Sequence, residues 1–160
     1  MKTHTRGITL VEMLIVVTII GLIAGVSFPA VSSGLDSLRL RSASDSLVSF
    51  LNAGLNRAER RQEVSEIAIS IQDNALHLTT PSLSRELDMP PGVTIRAVWP
   101  KLPGGETNEP RRFLLLPGGN VPRIGIEIAN RKGVRRLVRV DPMTGVPEVQ
   151  LLEASEEPAP

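Results

Sequence analysis

Hydrophobic residues dominate the first part of the chain. After a short basic segment, residues 1–7, the stretch 8–31 is predominantly apolar and contains a single charged residue, Glu12. As a helix rising about 1.5 Å per residue it would be roughly 36 Å long, and the hydrocarbon core of a bilayer is about 30 Å thick. A carboxylate within such a segment is costly in lipid. The pattern predicts a transmembrane or filament-core helix in which Glu12 needs a compensating partner.

Residues 32–62 change from an apolar run to a helical period with one apolar stripe. Pro29, just before this change, lacks an amide hydrogen and is predicted to bend the helix. We predict one helix from about Ile8 to Arg61, whose second half presents its stripe to a sheet. The stripe follows three- and four-residue steps, with two leucines leading in: Leu35, Leu38, Leu40, Ala43, Leu47, Leu51, Leu55 and Ala58.

Residues 63–152 alternate between apolar and polar positions, which predicts β-strands. The fold class is therefore α+β, with a long N-terminal helix packed on a small antiparallel β-sheet domain. A Pro/Gly-rich loop covers residues 103–110, and the acidic, Pro-rich tail 153–160 is expected to be disordered. The strands centre on Ile67–Ile71, Leu76–Leu78, Val93–Trp99, Phe113–Leu116, Ile124–Ile128, Val134–Val140 and Val146–Leu152.

The N-terminus carries one motif that is specific enough to indicate a protein family. The residues Arg6-Gly7-Ile8-Thr9-Leu10-Val11-Glu12-Met13-Leu14-Ile15 resemble the class III leader of type IV prepilins and type II secretion pseudopilins. The resemblance implies a pilin-like fold, cleavage between Gly7 and Ile8 by prepilin peptidase, and N-methylation of Ile8. Phe is commonest after the cleaved bond in that family, so Ile8 is a departure. Two other readings are an ordinary secretory signal with small residues at 24–27 for cleavage, and an uncleaved anchor.

The same resemblance implies a role for Glu12. In assembled family members the corresponding carboxylate is thought to pair with the terminal amine of a neighbouring subunit. A buried charge needs such a partner, because removing one member of a buried pair is strongly destabilising. Glu12 is therefore expected to act in assembly. The alternative is a helix-end carboxylate stabilised by the positive end of the helix dipole.

The order of the downstream elements resembles the GspH/FimT group of minor pseudopilins and minor pilins. It is carried by the residues 113–119 and by Val140-Asp141-Pro142-Met143-Thr144-Gly145-Val146, although Gly118 stands where Asp is more usual. The resemblance implies a structural subunit of the type II secretion pseudopilus in the bacterial inner membrane, single-pass, with a periplasmic C-terminal domain. Its implied partners are prepilin peptidase, other pseudopilins of the filament, the inner-membrane assembly platform and membrane lipid.

Two other functions remain open at this point. One is a minor pilin of a type IV pilus with a contribution to DNA uptake. The other is a periplasmic binding domain on an uncleaved anchor.

Composition argues against catalysis. The 160 residues include no cysteine and two histidines, and the formal net charge is +1. Cleavage at Gly7 would leave His77 alone, too few ligands for a transition-metal cage. Glu106 and Glu109 fall in a loop that is best explained as solvated, and no phosphate-binding glycine motif occurs. We predict no enzyme activity, no metal and no cofactor.

Basic residues crowd the last predicted hairpin: Arg131, Lys132, Arg135, Arg136 and Arg139, with Arg123 nearby. On a strand, Arg135 and Arg139 would share one face and Arg136 would point to the other. One hypothesis is contact with nucleic-acid phosphates. The favoured interpretation is a solvated hairpin or contact with acidic neighbouring subunits.

Overall fold

The computed structural model of the protein describes residues 9–102 and 109–152, and the backbone alone for residues 26–33. The predicted leader, Ile8, most of the loop 103–110 and the tail 153–160 lie outside the described residues. Among the described residues, one helix is followed by eight strands: α1 (Leu10–Arg61), β1 (Ser65–Ser70), β2 (Ala75–Thr80), β3 (Leu83–Asp88), β4 (Val93–Trp99), β5 (Arg111–Leu115), β6 (Gly125–Asn130), β7 (Arg135–Val140) and β8 (Pro147–Leu152).

The ends of α1 follow ordinary capping rules. The hydroxyl of Thr9 accepts a hydrogen bond from the Glu12 amide at 3.3 Å, which makes Thr9 the N-cap. The helix ends at Arg61, and Gln62 adopts a left-handed φ of 54° while its side chain donates to the Glu59 carbonyl. The predicted single helix is confirmed over Leu10–Arg61. It continues through Pro29 without interruption, and the bend at this residue stays a prediction.

The chain divides into two compact units, 1–35 and 36–160. In the second unit, the eight strands form two antiparallel sheets. The predicted α+β fold, a long N-terminal helix with an antiparallel β-sheet domain, is confirmed. Sheet A has the order β3-β2-β1-β5, and sheet B has the order β4-β6-β7-β8. The predicted hairpin between Ile67–Ile71 and Leu76–Leu78 is confirmed as β1 and β2, with Ile67 opposite Leu78.

Strand β3 was missed by the sequence analysis. It reads Leu-Ser-Arg-Glu-Leu-Asp and is exposed along almost its whole length, so neither face carries an apolar alternation. It lies at the edge of sheet A, where charged side chains discourage pairing with other chains.

The alternation predicted through β4 is also wrong in its second half. A β-bulge between Ile95 and Ala97 shifts the register against β6. Because of this shift, Val98 is completely buried in the hydrophobic core. Ala97 and Trp99, which a regular alternation would place there, do not belong to this core. The extra residue is Arg96, which is exposed.

One hydrophobic core joins α1 to both sheets. The predicted stripe is confirmed at Leu40, Leu47 and Leu51, which are fully buried, and Phe50 joins them. Leu35 and Leu38 do not belong to the core, being 46% and 63% exposed.

The helix approaches sheet A closely at Gly54. A Cβ at this position would lie 3.1 Å from Ile67 and 3.2 Å from Leu115. The absence of a side chain at Gly54 therefore sets how near the helix can lie to the sheet.

All six residues of β6 are buried, although the predicted alternation of apolar and polar positions would expose Gly125 and Glu127, which lie between the isoleucines. The strand lies between β4 and β7, and neighbours on both sides cover it. The buried Glu127 carboxylate is paired with Arg135, with 3.3 Å between Oε1 and Nη1.

Asn74 joins the two sheets. It lies in the turn between β1 and β2 with a left-handed φ of 55°. Its side-chain nitrogen donates to the Val93 carbonyl at 2.9 Å, and its side-chain oxygen accepts from the Ile95 amide at 2.8 Å. Its own carbonyl accepts from the Met89 amide. The sequence predicts a turn at Asn74 but gives no sign of this second role.

We expect Asn74→Gly to destabilise the protein by about 1–3 kcal/mol, because it keeps the left-handed backbone and removes two hydrogen bonds. Asn74→Ala should cost more, since alanine tolerates that φ poorly. The measurement is denaturant unfolding of the full chain in detergent. Asn56→Ala is the control, because the Asn56 side chain bonds only to the carbonyl of Asn52 in its own helix. Wild-type stability in Asn74→Gly would show that these bonds do not stabilise the fold.

Candidate functional site

Glu12 is the third residue of α1 and is exposed. Its amide is bound to the Thr9 cap, but its carboxylate makes no hydrogen bond or ion pair with any residue that the structure describes. The carboxylate therefore sits at the positive end of the helix dipole, available to a partner from outside the described residues.

The helix around Glu12 exposes apolar side chains on every side. Every residue from Thr9 to Gly25 is exposed. Within residues 9–102 and 109–152, no helical stretch combines the length and the apolar character that crossing a bilayer requires. The large apolar residues that are half or more exposed on this part of α1 are Leu10, Val11, Met13, Leu14, Ile15, Val17, Ile19, Ile20, Leu22 and Ile23. An apolar surface of this extent marks contact with protein or lipid.

The other predicted N-terminal positions are less informative. Gly7 and Ile8 lie outside the described residues. Pro29 lies inside α1 in the part for which only the backbone is described. Their roles in cleavage, methylation and bending of the helix stay predictions.

The β6–β7 hairpin separates the basic residues that the sequence groups together. Arg135 stands opposite Ala129 and Arg139 opposite Gly125, so these two arginines share the outer face of sheet B. Arg136 stands opposite Ile128 on the other face, and its buried Nε has no hydrogen-bond partner among the described residues. The predicted division of faces is confirmed by this register.

Arg131 and Lys132 lie in the turn of this hairpin and are exposed. The side chain of Asn130 shapes the turn, because its oxygen accepts from the amides of Lys132 and Val134, both at 3.0 Å.

A recess of about 610 Å³ brings some of these residues together with one that the sequence analysis missed. Arg131 and Arg135 line it from the hairpin, and Arg96 lines it from the bulge of β4. We call this the arginine recess. The signal in the sequence was the adjacent pair Ala97-Val98, which breaks the alternation of β4 and thereby indicates a bulge at Arg96.

No cluster of three metal-ligating side chains is present in residues 9–102 and 109–152. His77 lies on sheet A with its Nε2 3.7 Å from Oε1 of Glu86, and both side chains are about half exposed. A second depression, about 330 Å³, lies between α1 and the turn after β7, and Glu59 is the one charged residue that lines it.

The turn after β7 carries a perturbed carboxyl group. The Met143 amide donates to Asp141 at 2.9 Å and the Thr144 hydroxyl at 2.8 Å. These hydrogen bonds, with a smaller effect of Arg139, hold the pKa of Asp141 below its usual value of 3.8. The negative form of Asp141 thus stabilises this turn.

Comparisons with known proteins agree with the motif and the fold. Residues 2–28 match the family model of the prokaryotic N-terminal methylation motif. In structure the chain is similar to the minor pseudopilin EpsH from the type 2 secretion system of Vibrio cholerae, with a TM-score of 0.52 and 11% identity, over 74% of this chain and 99% of that one. No curated protein matches the chain in sequence.

By its motif and its fold the chain is therefore pilin-like, and the predicted resemblance is confirmed at that level. An N-terminal motif of this kind anchors its protein in a membrane in general. EpsH, whose fold is similar, is a minor pseudopilin.

We expect the stabilising contribution of Asp141 to depend on pH. Because its pKa is lowered on folding, the contribution is complete above pH about 4 and is lost as pH falls through the lowered pKa. Asp141→Asn should therefore be less stable than wild type at pH 7, and the difference should shrink in acid. The measurement is the free energy of unfolding of the full chain from pH 7 to pH 2.5.

Thr144→Val should show part of the same effect, because it removes one donor to Asp141. Thr79→Val, an exposed threonine of β2, is the matched control and should follow wild type. A difference between wild type and Asp141→Asn that is constant over the whole pH range would contradict this explanation.

Proposed function

We propose that this protein is a minor pseudopilin, a structural subunit of the type II secretion pseudopilus. Prepilin peptidase cleaves it between Gly7 and Ile8 and methylates Ile8, and it assembles through its N-terminal helix for protein secretion. The observation that carries the proposal is the methylation motif at residues 2–28, which runs into a helix that is exposed and almost wholly apolar up to Gly25.

The physical argument starts from the apolar surface of α1. Side chains such as Leu10, Val17 and Leu22 are at least two-thirds exposed, and each would gain roughly 1.5–3 kcal/mol on full burial. Lipid and the helices of neighbouring subunits both supply such burial. The filament alone also supplies a positive charge for Glu12, namely the methylated amine of the next subunit. The helix therefore resides in the membrane before assembly, and it is more stable in the filament than in lipid because Glu12 is paired there.

Partners and location follow from this proposal. The segment 8–31 anchors the protein in the bacterial inner membrane as a single pass, and the domain that contains both sheets lies in the periplasm. Its partners are prepilin peptidase, other pseudopilins, the inner-membrane assembly platform and membrane lipid. The protein is a substrate of the peptidase and has no catalytic role, cofactor or metal of its own. The similarity in fold to EpsH supports the secretion system over other filaments.

A second candidate is a minor pilin of a type IV pilus that contributes to DNA uptake. The N-terminal motif would serve a pilus equally well, and the arginines on the outer face of sheet B favour contact with an anion. Binding of duplex DNA to the full chain at low salt, weakened by replacement of those arginines, would favour this function.

The first test is the N-terminus of the protein extracted from bacterial membranes. We expect its intact mass to correspond to a chain that starts at Ile8 and carries one added methyl group. Gly7→Leu should retain the leader, because the residue before the cleaved bond is replaced. Gly34→Leu is the matched control, since a side chain at Gly34 meets nothing within 4 Å. A chain that starts at Met1, or after Ser27, would refute the proposal.

The second test addresses Glu12. Glu12→Gln keeps the size of the side chain and removes its charge. We expect the variant to remain in the membrane and its incorporation into filaments to fall more than tenfold, because losing one member of a buried ion pair costs about 3–5 kcal/mol. The measurement is the fraction of the protein that co-sediments with sheared filaments.

The control for this test is Glu59→Gln, which makes the same change at an exposed position near the other end of α1. It should assemble like wild type. Equal incorporation of Glu12→Gln and wild type would show that Glu12 does not pair during assembly.

A further inference from the structure

The arginine recess is formed by three separate local features. Arg96 reaches it because the bulge in β4 adds one residue there, and bulges commonly redirect a side chain. Arg135 reaches it from β7, where its register partner on β6 is the small Ala129. Thr94 stands on the other side of Ala129. Small residues between the arginines leave the depression open.

Gly92 positions the third arginine. Its φ is +89°, and a Cβ there would lie 3.2 Å from Nε of Arg131. Arg131 therefore lies along the backbone of Gly92 at the rim of the recess. Gly92 is suited to this place both by its backbone conformation and by its lack of a side chain.

The charges in the recess are only partly balanced. Arg135 is paired with Glu127, whose side chain is 8% exposed, and this buried carboxylate holds the guanidinium in place. Arg96 and Arg131 make no hydrogen bond or ion pair within the part of the chain that the structure describes. With Arg135 neutralised by Glu127, two positive charges remain at the recess.

A buried donor beneath the recess also lacks a partner. The side-chain oxygen of Asn130 is fixed by the amides of Lys132 and Val134, so its side-chain nitrogen must face elsewhere as a donor. This nitrogen is buried and has no acceptor among the described residues, and Asn130 lines the recess. An unsatisfied buried donor costs about 1–3 kcal/mol. An acceptor brought by a ligand would satisfy it after a small movement of the side chain.

We propose that the arginine recess binds a carboxylate group of an acidic peptide segment on a neighbouring subunit. This inference rests on the proposed function, since the filament is what brings a neighbour to this face. Guanidinium groups carry donors and no acceptors, and their planar fork matches a carboxylate. The side-chain nitrogen of Asn130 adds a further hydrogen-bond donor.

Two features favour a peptide over a nucleic acid. Arg96, Arg131 and Arg135 converge on one depression, whereas a phosphate backbone is followed by cations spaced along a track. The Lys101 ammonium lies 4.6 Å from the centre of the Trp99 ring, on the same sheet, so one face of this ring is covered against base stacking.

The test uses the full chain in detergent and a fluorescein-labelled peptide of alternating glutamate and serine, with fluorescence anisotropy as the readout. The same peptide with glutamine in place of glutamate is the ligand control. We expect the glutamate peptide to bind and the glutamine peptide to bind at least about tenfold more weakly, because charge-assisted hydrogen bonds are the stronger ones. Added salt should weaken binding.

Three matched variants locate the site. Arg96→Gln and Arg131→Gln should each weaken binding of the glutamate peptide about five- to tenfold, as expected for loss of a charge-assisted contact. Arg139→Gln, on the same face but outside the recess, should leave the affinity within about twofold, as expected for an exposed charge away from the ligand.

Several outcomes would overturn the inference. Equal binding of the two peptides would exclude carboxylate recognition, and an equal loss in all three variants would indicate general electrostatic attraction. Tighter binding of a DNA oligonucleotide of the same net charge, sensitive to the same two arginines, would assign the recess to nucleic acid.

The assay requires neither cleavage at Gly7 nor a filament. A failure here therefore leaves the N-terminal mass and the Glu12 test unaffected, and their failure would not alter the peptide affinity.

Discussion

The apolar surface of α1 has to be removed from water, and the residues that the structure describes cover only part of this helix. From Leu40 to Ala58 the apolar residues occupy one stripe, and the strands of both sheets cover it. From Leu10 to Gly25 they occupy all sides and stay exposed. A sheet can cover a stripe but not a whole cylinder, so the N-terminal part of the helix depends on an environment that surrounds it. The motif at residues 2–28 implies in general that its protein is anchored in a membrane, which is one such environment.

Sequence periodicity predicted the elements whose environment differs between their two faces. The stripe around Leu47 and the alternation of Ile67 and Ile69 are such cases, and both are confirmed. The pattern does not predict strand β3, because both faces of this strand are exposed. It predicts an exposed Glu127 in β6, which is wrong because both faces of that strand are buried. The number of sheets could not be predicted from the pattern either, because alternation characterises a single strand and does not indicate which strands pair.

Some residues of the candidate site can likewise be predicted from the sequence, and others cannot. Glu12 stands out in the sequence because a single charge in an apolar run is visible without any structure. The arginines of the hairpin were visible as a group, but their separate roles were not. Arg135 pairs with a buried carboxylate, Arg136 faces the core side, and Arg131 lies along Gly92. Arg96 joins them from more than thirty residues earlier, through a bulge. The pair Ala97-Val98 indicates the bulge, but no local pattern encodes that β4 pairs with β6 and so brings Arg96 beside the hairpin.

The bonds of Asn74 have a consequence for solubility. β4 is an edge strand of sheet B, and edge strands expose backbone groups that invite pairing with another chain. The carbonyl of Val93 and the amide of Ile95 are two such groups, and the Asn74 side chain occupies both. An incoming strand would have to displace the Asn74 side chain before it could add to this end of the sheet. One side chain from the opposite sheet thus shields part of an open edge against aggregation.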